Sequence, residues 1–429
     1  MKTIFYKIKK IAHFFIDPLV NGYKAIVILI QSKSARKNYE LIEYQIKERE
    51  ESKIRVAAYV VFGSTFGMES VFDRMMDRKK TWDCKIVIIP DVSRGEKNQQ
   101  EVYNSTKQYF IKKYGQEYVL DGWDIKTNKY IDHTSSFDII YYANPYDKMV
   151  HRHHSIKHGI KMGILPVYIS YGYDVGQITT LSRLKNPELN LIWKYFVDTT
   201  YSLDDLKKHQ VVKGKNAVLT GYCKMDKLSQ YDYKETERKK ILIAAHHTVD
   251  TDIIPLSNFL YYYKLILQLP KIYPGVDFVF RPHPLLFTTL VNKRIWTQEQ
   301  VEQYINCFMN NGGTYSCEGD YLQLFVDCDA IINDCGSFTI EWLYTGKPGC
   351  FVYNSKLKEK QLTTLMKNAI SCYTIARSEK EIIGFIDDII SEKKKCGEIS
   401  PWIKDNIMLN YPNTASVILD ELNIRGDRS

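Results

Sequence analysis

Short apolar runs alternate with amphipathic stretches along most of the chain, and that alternation sets the expected architecture. Residues 54–62 are almost continuously apolar and rich in β-branched and small side chains, the pattern of a parallel strand buried on both faces. Gly63-Ser64-Thr65-Phe66-Gly67 turns the chain, and a helix is predicted over 68–76. Strand-like runs follow at 86–89, 137–142 and 164–170, with a helix over about 99–113 before the second of them. A short strand is predicted at 217–220, after the polar break Lys213-Gly214-Lys215-Asn216. Residues 231–240 are wholly polar or aromatic and read as a linker between domains. The alternation then restarts, with strands at 241–245, 276–280, 330–332 and 349–353 and helices over 258–269, 298–310, 321–326 and 338–344. Strand, turn and helix repeated in two blocks predict an α/β chain of two Rossmann-like domains, over 54–230 and 231–429.

The first 53 residues form a third unit. Ile4, Phe5, Ile8, Ile11, Phe14 and Phe15 recur at three- and four-residue spacing, beside Lys2, Lys7, Lys9 and Lys10. On a helix these make an apolar face flanked by lysines. Across residues 1–39 eight basic side chains meet one acid, Asp17. Such a helix suits the interface of an anionic membrane; an ordinary helix packed on the next domain has the same periodicity. Residues 38–53 mix both charge signs and predict a solvated helix leading into the first domain.

Composition narrows the class only a little. The 429 residues are 45% hydrophobic and 25% charged, which excludes disorder, collagen-like sequence and a coiled-coil rod. The net charge of +9 suits phosphate-bearing ligands or an anionic surface. Nine scattered cysteines include no C-x-x-C pair, so a zinc ribbon and a disulfide framework are both disfavoured and a reducing cytoplasm is expected. No apolar run approaches the roughly 18–20 residues that span a bilayer. There is no P-loop, no G-x-G-x-x-G and no nucleophile elbow. The basic stretch 148–161 has tyrosine neighbours but no recognisable nucleic-acid module, so an acceptor groove is expected there rather than nucleic acid.

Candidate chemistry gathers where predicted strands end. Asp334-Cys335-Gly336-Ser337 joins a strand to a helix; free N–H groups, the Ser337 hydroxyl and the helix dipole would suit an anion, with Gly336 allowing close approach and Thr339 adding a hydroxyl. Helix capping explains the same residues. Arg281-Pro282-His283-Pro284 presents a guanidinium and an imidazole on a stiff loop, a pair suited to a diphosphate; a surface proline loop is the alternative. His246-His247-Thr248 follows a third strand and reads alone as a loop His pair. Asp327-Cys328-Asp329 spells a metal-binding D-x-D but precedes a strand, so it is expected to be a helix-to-strand corner.

Four segments in order resemble the CDP-glycerol glycerophosphotransferase family, which includes the teichoic-acid primases and polymerases. Thr220-Gly221-Tyr222-Cys223-Lys224-Met225-Asp226 is similar to its Thr-Gly-x-Pro-Arg-x-Asp run, and residues 241–248 to the strand opening its donor domain. Arg281-Pro282-His283-Pro284 matches its Arg-x-His-Pro. Residues 330–337, with Gly346-Lys347-Pro348 downstream, resemble its strand–Asp–x–Ser–Ser–helix–Lys–Pro run. The resemblance covers the C-terminal half well and the N-terminal half loosely. Gly336 stands where the family usually has a serine. The family's acceptor-side His-Gly-Thr-Pro is replaced by Ser170-Tyr171-Gly172-Tyr173-Asp174, so the base falls to Asp174 or His158, with Tyr171 positioning substrate.

The resemblance implies a GT-B fold, attachment to the cytoplasmic face of the membrane, and no essential metal or cofactor. Expected partners are a CDP-linked donor, a glycan or lipid-linked acceptor and an anionic membrane surface. The expected reaction moves glycerol phosphate or a related polyol phosphate, with Arg281 and His283 on the diphosphate. His246, His247, Asp334, Gly336, Ser337, Thr339 and Lys347 would line the donor site. A nucleotide-sugar glycosyltransferase acting in capsule or lipopolysaccharide synthesis, including transfer from CMP-sialic acid, is the rival reading. A non-catalytic envelope-assembly protein is a second.

Overall fold

A computed structural model describes residues 2–50, 53–93, 95–233, 236–317 and 320–426, with side chains described from residue 22 onward apart from 96 and 97. The described residues form two parallel sheets. The first contains β1 (Ile54–Val60), β2 (Trp82–Ile88), β3 (Val119–Asp121), β4 (Ile139–Tyr142), β5 (Leu165–Ile169), β6 (Lys194–Val197) and β7 (Ala217–Leu219), in the order β3-β2-β1-β4-β5-β6-β7. The second contains β8 (Lys239–Ala244), β9 (Val276–Phe280), β10 (Thr314–Tyr315), β11 (Ala330–Asn333), β12 (Gly349–Val352) and β13 (Thr374–Ala376), in the order β10-β9-β8-β11-β12-β13. Both sheets have the doubly wound order, with the direction of winding reversing beside the first strand. The two-Rossmann-domain expectation is thus met. β3, β6, β10 and β13 carry too few consecutive apolar residues to be read from the pattern, and they form because neighbours in the sheet pair with them.

One face of the first sheet packs Val56, Ala58, Ile86, Ile139 and Val167 against the flanking helices; the other packs Ala57, Tyr59, Val87 and Ile140. This is the period-2 alternation of a sheet covered on both sides. The N-terminal helix, Lys2–Glu48, would be about 70 Å long at 1.5 Å per residue. Ile28, Ser32, Ala35, Tyr39 and Ile46 are buried along one stripe of it. Residues 38–50 are exposed over most of their length, but Tyr39 and Ile46 are buried and tie this stretch to the first domain. Tyr39 donates to the Leu191 carbonyl, Trp193 Nε1 donates to Glu43 at 2.6 Å, and Arg49 and Arg55 both bind the buried Asp138 carboxylate. Tyr39, Glu43, Ile46 and Arg49 thus anchor successive turns, while Glu40, Lys47 and Glu48 face solvent. The apolar-and-lysine face expected from Ile4 to Phe15 falls on side chains outside the described residues. No described helix is long and apolar enough to cross a membrane.

The chain's end belongs with the first domain. Ala415, Ile418, Leu419 and Leu422 of helix Thr414–Leu422 join the core under β1 and β2. Asp226 accepts the Thr414 and Ala415 N–H groups at 3.2 and 2.7 Å and caps this helix. A second domain running unbroken to residue 429 is corrected accordingly: the last helix crosses back because its apolar face is buried by the first domain.

Candidate functional site

The registers of the second sheet bring three loops side by side. Ile243 lies opposite Phe280 and Ala244 opposite Asn333, so the residues that follow β8, β9 and β11 emerge together at one edge. Backbone bonds continue the pairing, from Arg281 N to the Ile243 carbonyl and from His283 N to the Ala245 carbonyl, both 2.8 Å. The three imidazoles meet there: His247 and His283 have ring centres 4.1 Å apart, His246 and His247 4.4 Å, and His246 and His283 5.4 Å.

Burial lowers all three pKa values, and the neighbouring imidazoles add to the effect at His246 and His283; His283 is pushed down to about 4. These rings are therefore neutral at pH 7. Leu285 N–H donates to His283 Nδ1 at 3.1 Å, which leaves the His283 proton on Nε2. A neutral imidazole held in this tautomer offers one N–H to an anion. Arg281 Nη1 donates to Ser316 Oγ at 2.8 Å, and its guanidinium carbon lies 6.0 Å from the Tyr321 ring centre.

The first domain closes over this edge. A Cβ built on Gly172 would lie 3.0 Å from Ser337 Oγ, and one on Gly336 would lie 3.3 Å from Val175 Cγ2. The loop after β5 is stitched to the second domain by Thr363 Oγ1 to the Asp174 carbonyl (2.8 Å), Thr363 N to the Val175 carbonyl (2.9 Å), and Tyr173 with Tyr344 (2.8 Å between hydroxyls). Tyr171 is exposed on the same loop, and its carbonyl accepts the Tyr222 hydroxyl. The Arg281–His283 loop and the Asp334–Ser337 corner thus share one sheet edge that faces the other domain.

Several sequence candidates serve other ends. Asp334 is buried; its carboxylate accepts the N–H groups of His246 (2.6 Å) and Asn258, so it ties loops together rather than meeting a ligand. Thr339 is fully buried, with its hydroxyl 2.7 Å from Asn333 Oδ1 and 2.8 Å from the Cys335 carbonyl. Lys347 lies at the start of β12, on the far edge of the sheet; its ammonium donates to the Phe325, Val326 and Cys328 carbonyls and closes helix Tyr321–Asp327. The helix after Ser337 runs only to Glu341 before tightening into a 3₁₀ turn, so little dipole is available at its start. What Gly336 approaches closely is Val175, not open space.

Both candidate bases are engaged. Asp174 pairs with the Arg183 guanidinium, which also meets the Tyr195 hydroxyl. His158 Nε2 bonds Asp132 at 2.7 Å, within a cluster where His151 stacks on Tyr130 at 4.0 Å. Asp327 accepts from Gln323 and Asp329 from Lys240 N, as a helix-to-strand corner requires. Sequence reasoning missed Asp198, a buried acid beyond β6 that burial and the Asp174 charge push up to about 6. It also assigned no role to Lys224, quoted only as part of the Thr220–Asp226 run, or to Tyr321, which lies in no motif.

The sequence matches no protein-family model and no curated protein. In fold, the chain is similar to a variant of the wall teichoic acid polymerase TagF, with TM-score 0.55 and 12% identity over 96% of this chain and 98% of that one. A UDP-N-acetylglucosamine 2-epimerase gives 0.52 and 12% over 87% and 95%. The UDP-GlcNAc 2-epimerase from Methanocaldococcus jannaschii gives 0.50 and 11% over 86% and 99%. The likeness is one of fold, and it covers both domains: the architecture is GT-B.

Proposed function

We propose that the protein is a GT-B transferase that moves glycerol phosphate or a related polyol phosphate from a CDP-linked donor to a glycan or lipid-linked acceptor in cell-envelope polymer synthesis. One observation carries the reading: Arg281, His283 and Ser337 gather at the switch point of the second sheet, facing an exposed tyrosine loop of the first domain. Ligands of doubly wound sheets bind at such edges. The ordered resemblance to the CDP-glycerol transferases and the shared fold with TagF, a wall teichoic acid polymerase, support the donor class.

The acceptor hydroxyl attacks the distal phosphorus in line; the new O–P bond forms as the bond to CMP breaks, and CMP leaves with the charge. Arg281 and the His283 Nε2–H stabilise that charge, which is the larger part of catalysis in phosphoryl transfer. The acceptor proton passes to a carboxylate of the first domain, for which Asp174 requires release from Arg183. In this reading the protein works at the cytoplasmic face of the membrane. Supporting that placement are the basic N-terminal segment and the exposed Tyr23, Ile26, Leu29 and Ile30 on the same helix.

A donor screen on the purified chain tests it. CMP release and acceptor labelling are followed with CDP-glycerol, CDP-ribitol, CMP-sialic acid and UDP-sugars. Turnover of a CDP-polyol supports the reading. Turnover of sugar nucleotides alone establishes the glycosyltransferase rival, and binding without any turnover establishes a non-catalytic role.

A further inference from the structure

Tyr321 opens helix Tyr321–Asp327, and two cations approach its ring. Lys224 Nζ lies 4.7 Å from the ring centre and Arg281 Cζ 6.0 Å. They arrive from opposite sides of the domain boundary. Arg281 follows β9 in the second sheet; Lys224 sits in the 3₁₀ segment Cys223–Gln230, directly after β7, the last strand of the first sheet. Both side chains are half-buried, so their charges are less screened than on an open surface. The ring face offers each cation some attraction. The Tyr321 hydroxyl donates to the buried Glu341 carboxylate. Phe338, one residue beyond Ser337, packs on Tyr321 with ring centres 4.5 Å apart. The tyrosine is thereby held next to the Gly336–Ser337 corner, with both cations near its ring.

We infer that Lys224 and Arg281 are the two jaws of one anion site that takes a diphosphate between the domains, with Tyr321 as its floor. This rests on the donor reading above and adds a first-domain cation to it. Each jaw supplies charge-assisted hydrogen bonds to the anion from its own domain. Occupancy of the site therefore bridges the two domains directly.

A purely structural role for Lys224 is to offset the charge of Glu341, whose pKa is raised by burial and lowered by Lys224. Titration calorimetry with inorganic pyrophosphate and with CDP separates the two roles, using the wild type, Lys224→Met, Lys224→Arg and Glu341→Gln. The expected result is a loss of about tenfold in pyrophosphate and CDP affinity for Lys224→Met, as for one charge-assisted contact. Lys224→Arg should stay within about threefold of wild type, and so should Glu341→Gln, even if its melting temperature falls. Unchanged affinity in Lys224→Met, an equal loss in Glu341→Gln, or no pyrophosphate binding by the wild type would each overturn the assignment. Lys224-dependent pyrophosphate binding without turnover of any CDP donor would keep the clamp and end the transfer reading.

Discussion

Burial holds the Asp334 carboxyl at about 7, although backbone N–H groups of Asn258 and His246 donate to it. Its unfolded value is near 3.9, so between about pH 4 and 7 the folded form binds the extra proton. Stability therefore falls as pH rises through that window. Asp334→Asn removes the titration and turns an amide NH₂ toward a backbone donor, so it should be less stable overall with a flatter pH dependence. Urea midpoints at pH 5 and 7.5 check this; equal slopes in both proteins would refute it. At His283 the same physics works in reverse, because burial and His247 keep the ring neutral. An anion bound at Nε2 would raise that pKa and turn the ring into a charged donor. His283→Ala should leave the circular dichroism spectrum and melting temperature near wild type and cut transfer by at least about a hundredfold. Near-normal turnover would remove His283 from the mechanism. The identities of these residues were legible in the sequence, but their duties were not. A strand-end Asp reads the same whether its carboxylate faces a ligand or the next loop.

The N-terminal helix and the C-terminal helix are both held by first-domain contacts that lie far away in sequence. Tyr39, Ala35 and Ile46 dock the former on the sheet's flank. Asp226 caps the latter, its carboxylate accepting the Thr414 and Ala415 N–H groups. Asp226→Ala should cost about 0.5–2 kcal/mol, the range for losing an N-terminal cap. It should also speed hydrogen exchange in 414–422 ahead of global unfolding; uniform exchange across the chain would show that the cap is not local. The strands containing long apolar runs, such as β1, β5 and β9, were readable because burial on both faces leaves a continuous signature. Lys194–Val197 and Thr374–Ala376 were not, since three or four residues give no period to detect. The docked stripe of the N-terminal helix was hidden by its mixed charges, which occupy the solvent side.

On the scale of the molecule, two sheets of the same winding present their functional edges to each other. The chain enters the second domain by β8 and returns to the first before the last helix. Gly221, with φ of +100° and a Cβ position only 2.1 Å from the Leu409 carbonyl oxygen, marks how closely the returning chain runs. At the other end the N-terminal helix carries exposed Tyr23, Ile26, Leu29 and Ile30 beyond its docked stripe. If this end lies on an anionic bilayer, the full chain should co-sediment with phosphatidylglycerol vesicles at low salt. A variant lacking residues 1–21 should fold, because the docked stripe from Ile28 to Ile46 remains, and should lose most of that binding. Equal binding by the two, or none by the full chain, would rule the attachment out.

The sequence by itself determined the two-domain α/β architecture and the order of its chemistry-bearing loops, because hydrophobic periodicity and turn residues are local properties of the chain. Only the tertiary structure decided which side chains serve those loops and which hold them in place. Asp334, Thr339 and Lys347 turned inward or to the far edge, while Lys224, from a run quoted only for its resemblance, and Tyr321, from a segment with no motif of its own, came together at one ring. Contacts such as Lys224 with Tyr321 depend on how two sheets pack across 97 positions of sequence, and no local pattern encodes that distance.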